Sequence, residues 1–196
     1  IGLIGLSSQI FLVSTIAAVA YLLDSLYAER KDRSILFWKS LPVSDTRTVL
    51  VKYGVAMLIV PLGVYVLAAV TFLILHAILS LVLPQVVATG SPGVGVLFQA
   101  LGRVLASVLV TVLWYAPLGA WLMLASVFAR RSPWLIVSLI PVGLFLLEGM
   151  LFQTRHVLEF IGWRLRPVMD PLDALQRPGL WLGLVAAAGM LYIVIR

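Results

Sequence analysis

YAERKDRSILFWKSLPVSD, residues Tyr27 to Asp45, separates two long apolar runs. A plain loop needs its charges but has no use for Phe37 and Trp38. A core helix needs those aromatics but cannot hold the charges. A boundary between membrane and water accommodates both. We therefore read the stretch as a docking surface at the cytoplasmic edge of a membrane, and the rest of the chain is read outward from it.

Of the 196 residues, 62% are hydrophobic and 11% charged, with a mean hydropathy of +1.11. Soluble domains are about 45–50% apolar and about 25% charged. A soluble fold of this length could not cover so much apolar surface, so the composition places the chain in the membrane class. It has no cysteine, which excludes disulfides and thiolate metal sites.

A hydrocarbon core of about 30 Å needs roughly 20 apolar residues in a helix. Five runs approach that length: Ile1 to Leu23, Val49 to Leu83, Leu97 to Phe128, Pro133 to Phe152 and Leu180 to Ile195. Pro61, Pro117 and Pro141 fall inside runs, where kinks are expected rather than breaks. The expected fold class is all-α: a polytopic helical membrane protein with about five spans, forming one transmembrane domain over residues 1–196. The chain starts at Ile1, and its first run lacks the basic start and cleavage site of a signal peptide. A preceding segment is therefore expected.

The links give the orientation. Residues 24–52 carry Arg30, Lys31, Arg33, Lys39, Arg47 and Lys52, and Arg130 and Arg131 form a second basic link. The link between them, Pro84 to Val96, is uncharged. Lysine and arginine collect in cytoplasmic loops, so the two basic links face the cytoplasm and the neutral one faces outside. Residues 153–179 then lie outside. They mix apolar and charged residues, and read as one or two short helices at the outer interface with Arg164 and Arg166 on the wet side. Whether these helices plug the outer mouth or take part in substrate exit stays open. Gly179 and Gly183 form a G-x-x-x-G strip, read as helix packing.

Enzyme chemistry finds little support. There is no phosphate-cradling G-x-x-x-x-G-K-[ST], no H-E-x-x-H and no G-x-S-x-G. No catalytic residue is assigned, and His76 and His156 are too scattered in the sequence to suggest a metal site. The ionisable residues in or near spans are His76, Arg103 and Glu148. They are candidate path or outer-gate residues, because intramembrane charge is costly and often functional. All three sit toward outer span ends, where reaching the interface is the plainer account, and Arg103 and Glu148 could pair across adjacent helices.

Within the opening stretch, the first span reads as continuing to Lys31. Ser34 is a suitable N-cap for a short helix from Ile35 to Leu41, which Pro42 ends. Ser44 and Asp45 then cap the next span. The short helix shows Ile35, Leu36, Phe37, Trp38 and Leu41 on more than one side. One side can rest on its own protein or on headgroups, and the other suits a partner.

Residues 27–52, YAERKDRSILFWKSLPVSDTRTVLVK, resemble the first cytoplasmic loop of permeases of the type-two ABC exporter family. The resemblance rests on Glu29-Arg30, the short helix starting at Ser34, Leu41-Pro42-Val43-Ser44 and Lys52, and elsewhere on layout. It implies six spans, of which the first would precede this chain together with an amino-terminal cytoplasmic helix. It implies that Arg33, Ser34, Ile35, Leu36, Phe37, Trp38, Lys39, Ser40, Leu41 and Pro42 form a coupling helix seated on a cytoplasmic ATPase subunit. Glu29, Arg30, Lys31 and Asp32 would form the rim of that seat. The ATPase, with its ATP and Mg, would be a separate chain, so this chain is not expected to be an enzyme or to carry a cofactor. Two permease copies or homologues would pair in a cell membrane of the bacterial inner type. The apolar spans suit an amphipathic or lipophilic cargo such as a peptide, antibiotic or lipid, and nucleic acid is not an expected partner. A secondary transporter or channel-like protein without an ATPase is the competing reading. It should show ionisable or broken-helix features at mid-membrane, and the sequence has few.

Overall fold

The fold is taken from a computed structural model, which describes residues 12, 15–34, 44–85, 94–130, 132–166 and 171–196. Among them are helices and no strands. Helix α1 occupies residues 15–24 and α2 Tyr27–Lys31. Next come α3 (Asp45–Val82), α4 (Val94–Phe128) and α5 (Pro133–Leu151). The chain closes with α6 (His156–Leu165), α7 (Pro171–Gln176) and α8 (Pro178–Ile195).

Four of these, α3, α4, α5 and α8, are long and apolar enough to cross a membrane. The chain is an all-α polytopic membrane protein. The first expected span falls mostly on residues 1–14, of which only residue 12 is described. Large apolar side chains such as Leu67, Ile74, Leu139 and Val185 are exposed along the spans, as lipid-facing positions should be. Helix α3 has 38 residues, or about 57 Å at 1.5 Å per residue. It outruns a core of about 30 Å, so its charged first turns project past the lipid. Ser44 caps it as expected, its hydroxyl accepting from the Arg47 N–H at 3.3 Å.

The prolines act as the membrane setting predicts. Helices α4 and α5 run on through Pro117 and Pro141. In α3 the turns before Pro61 widen into a π-helical stretch, Val55–Ile59. Proline cannot supply the N–H its i−4 carbonyl needs, and a wider turn absorbs that loss. The π stretch faces the proline of the next span. Met57 packs against Gly119, and the Tyr53 hydroxyl donates to Ala116 O at 2.7 Å. Further along, Tyr65 donates to Leu101 O at 3.0 Å. The residue order of these two ties makes α3 and α4 antiparallel.

Helix α8 packs most extensively on α4. Leu180 meets Val110 and Trp114, and Ala187 meets Ala116 and Ala120. The two helices therefore run in the same sense. Small residues at Ala116, Ala120 and Ala187 let their backbones approach. Helix α5 packs beside α4, with Pro133 its one buried residue.

Candidate functional site

The segment assigned to partner docking is approached through α2, and α2 is sewn to the end of α4. The first span does not continue straight to Lys31. It breaks at Ser25 and Leu26, because an acceptor elsewhere takes the next N–H groups. The fully buried Ser126 of α4 accepts from the N–H of Leu26 at 3.3 Å and of Tyr27 at 3.0 Å. One hydroxyl thus caps α2 from another helix, serving as a side-chain N-cap normally does. At the other end of α2, the Arg30 guanidinium donates to Ser126 O at 2.5 Å and Ala129 O at 3.2 Å. Those carbonyls close the end of α4, where a cation is favoured by the helix dipole.

Helix α3 joins the same knot. Lys52 Nζ lies 2.5 Å from Glu29 Oε2 and donates to Ser25 O at 2.8 Å. Both side chains of this ion pair are largely covered, 14% and 21% exposed. The break between α1 and α2, the start of α3 and the end of α4 are therefore held by three side chains, Lys52, Arg30 and Ser126.

This arrangement divides the residues assigned to the rim. Glu29 and Arg30 are bonded within the chain, while Lys31 and Asp32 are exposed, as is the adjoining Arg33. Arg33 has a left-handed backbone, with φ of 58°. That conformation closes α2 in the manner of a C-terminal cap, so Arg33 belongs to the end of α2 rather than to the start of a following helix. The Ser34 hydroxyl donates back to Glu29 O at 3.4 Å. Ile35, Leu36, Phe37, Trp38, Lys39, Ser40, Leu41 and Pro42 lie outside the described residues.

The three candidate path residues do not converge. His76 is half-buried and stacks on Phe72 within α3. Arg103 is exposed on α4, and no ion pair joins it to Glu148 among the described residues. Glu148 has a different task. Its carboxylate accepts from the Thr154 hydroxyl at 2.6 Å and from the N–H groups of His156 and Val157 at 2.7 and 2.8 Å. It caps α6 from the preceding span, so the chain can turn back at Gln153, whose φ is 53°. His156 and Glu159 are mostly exposed, 4.0 Å apart. Among the described residues no cluster suited to a metal ion occurs.

Helix α6 departs from the sequence expectation at Arg164. Arg164 is 4% exposed, whereas Leu158, Phe160 and Leu165 are outward. Arg166 is exposed as expected, as are His156 and Glu159, so the outer surface is mixed. Arg164 donates through Nη1 to Gly179 O at 2.9 Å, and its guanidinium lies 4.5 Å from the centre of the Trp114 ring. Trp114 donates from Nε1 to Arg164 O at 3.0 Å, and Tyr115 from its hydroxyl to Leu165 O at 3.2 Å. Burial lowers the Arg164 pKa from the usual guanidinium range and Tyr115 opposes the shift. The glycine strip receives this helix. A Cβ at Gly179 would overlap the Trp163 ring, and one at Gly183 would overlap the Arg164 guanidinium. The strip therefore seats side chains of α6, and the close approach of spans falls to Ala187.

Sequence reading missed Ser126 and the burial of Arg164. Ser126 had no distinguishing neighbour in the sequence. Arg164 carried a weak signal, an arginine directly after a tryptophan in an otherwise amphipathic stretch.

No protein-family model matches the chain, and no curated protein or solved structure matches it.

Proposed function

We propose that this chain is the membrane permease subunit of an ATP-driven exporter of the type-two ABC kind, with Arg33 to Pro42 as its seat on a separate cytoplasmic ATPase. The observation that carries the reading is the knot of Glu29, Arg30, Lys52 and Ser126 directly before that seat. A surface loop that only anchors to headgroups has no need of it. A lever does, because a push on the segment after α2 must reach the spans without being lost in side-chain slack. Here Lys52 would deliver it to α3, and Arg30 with Ser126 to α4.

In this reading two permease copies or homologues pair in a cell membrane of the bacterial inner type. ATP and Mg bind to the partner ATPase and supply the hydrolytic free energy there. Closure of the ATPase pair moves the seat, and the cargo is amphipathic or lipophilic, consistent with spans that expose few polar groups. Phe37 and Trp38 are large, rigid side chains suited to a packed joint, and the exposed Lys31 and Asp32 suit its polar rim.

The test is the ratio of transport to ATP hydrolysis in the reconstituted complex. Trp38→Ala and Phe37→Asp are expected to lower transport per ATP while membrane insertion is unchanged. Full coupling in both variants would contradict the assignment of the seat.

A further inference from the structure

A groove opens at the basic end of the bundle, between the break after α1 and the start of α5. Its volume is about 760 Å³, within the range of about 300–1,000 Å³ that small-molecule sites occupy. The lining mixes aromatic, charged and hydroxyl side chains, among them Tyr21, Asp24, Lys31, Ser132 and Trp134. Tyr21 and Trp134 are 40% and 56% exposed, and aromatics of this kind mark the level where lipid meets water. Deeper in the membrane, Ile16 of α1 and Leu135 and Leu139 of α5 are outward. An acyl chain beside the groove therefore meets apolar surface, while a headgroup in it meets the charges.

Those charges lack partners that the physics asks for. Asp24 ends α1, where the negative end of the helix dipole disfavours an acid and favours a cation. It is exposed, and among the described residues no basic side chain pairs with it. Lys31 lines the same groove, and among the described residues it pairs with no acid, Asp24 included. Ser132 stands at the N-cap of α5, but its hydroxyl accepts no N–H of that helix. The groove thus offers an acceptor for a cation, a donor for an anion and a hydroxyl not used in capping, all at the lipid boundary.

We propose that this groove holds one resident phospholipid of the phosphatidylethanolamine type. Its primary ammonium lies on the Asp24 carboxylate, and its phosphate takes the Lys31 ammonium and the Ser132 hydroxyl. A primary ammonium donates hydrogen bonds to a carboxylate, which strengthens the pair. The trimethylammonium of phosphatidylcholine has no N–H to donate, and the glycerol head of phosphatidylglycerol brings no cation for Asp24. Seated there, the lipid bridges α1 to α5. It is a constituent of the fold and not a cargo, so the inference does not rest on the permease reading.

The test uses this chain alone, with no ATPase present. The protein in detergent is exchanged against an equal mixture of phosphatidylethanolamine, phosphatidylcholine and phosphatidylglycerol with the same acyl chains. Native mass spectrometry then counts the lipid of each kind that stays bound, and reads the oligomeric state in the same spectrum. The expected result is one retained phosphatidylethanolamine, preferred over each of the others by about threefold or more, as an exposed ion pair allows. Asp24→Asn is expected to bring phosphatidylethanolamine and phosphatidylcholine to parity, and Asp24→Glu to keep the preference. Lys31→Gln lowers the retention of all three. Glu159→Gln, which alters an exposed acid on α6, leaves the preference unchanged. Parity of phosphatidylethanolamine and phosphatidylcholine on wild type, a preference for phosphatidylglycerol, or a preference that survives Asp24→Asn or is lost in Glu159→Gln would overturn the proposal. So would a protein that keeps no lipid, whether as a monomer or as a dimer whose second copy covers the groove.

Discussion

A single hydroxyl, that of Ser126, accepts two backbone N–H groups from a helix about a hundred residues away in sequence. Its removal takes an acceptor from two part-buried N–H groups, a loss worth about 1–3 kcal/mol. Ser126→Ala is therefore expected to lower the thermal midpoint in detergent and to free α2. An unchanged midpoint would mean that water replaces the hydroxyl without cost. Gly179 gives a second case. Its Cα faces the Trp163 ring, which is rigid and packed against Trp114. Gly179→Ala must push that ring aside, an overpacking cost of about 1–3 kcal/mol, read in the same melting experiment. An alanine at Gly189, which has open space beside it, should leave the midpoint unchanged.

At the scale of elements, the ion pair of Glu29 and Lys52 couples α2 to α3. A double-mutant cycle with Glu29→Gln and Lys52→Met is expected to return an interaction energy of about 0.5–3 kcal/mol. Additive effects would show that the two residues act separately. The elements themselves differ in how far the sequence announced them. Helices α3, α4, α5 and α8 were legible because a run of about 20 apolar residues has few other folds in lipid. The cap at Ser44 was legible because it is made within three residues. The break after α1 was not, since its cause is Ser126 on a distant helix. The inward face of α6 was not, because periodicity finds a polar side and cannot tell whether water or a neighbouring helix lies beyond it. The cap that the Glu148 carboxylate forms on the next helix was not legible for the same reason.

On the scale of the whole molecule, two interaction centres lie along α4. The α2 knot gathers α1 through α4 at its carboxyl end, and the Trp114–Arg164 contact gathers α4, α6, α7 and α8 near its middle, about 18 Å from Ser126 at 1.5 Å per residue. Helix α4 belongs to both, and the π stretch of α3 faces it between them. Helix α4 can therefore relate a push at the first centre to packing at the second. This account predicts that Lys52→Met lowers transport per ATP as Trp38→Ala does, although Lys52 lies on α3 and not in the docking segment. Transport and hydrolysis in the same reconstituted complex measure it.

The most direct measurement is detergent co-purification of the protein with a candidate ABC ATPase subunit, comparing wild type with Phe37→Asp/Trp38→Asp. A complex that forms with wild type and is lost in the double variant, with both proteins equally folded, is the result the account predicts. A well-folded wild type that binds no ATPase, or a double variant that binds it as tightly, would contradict it.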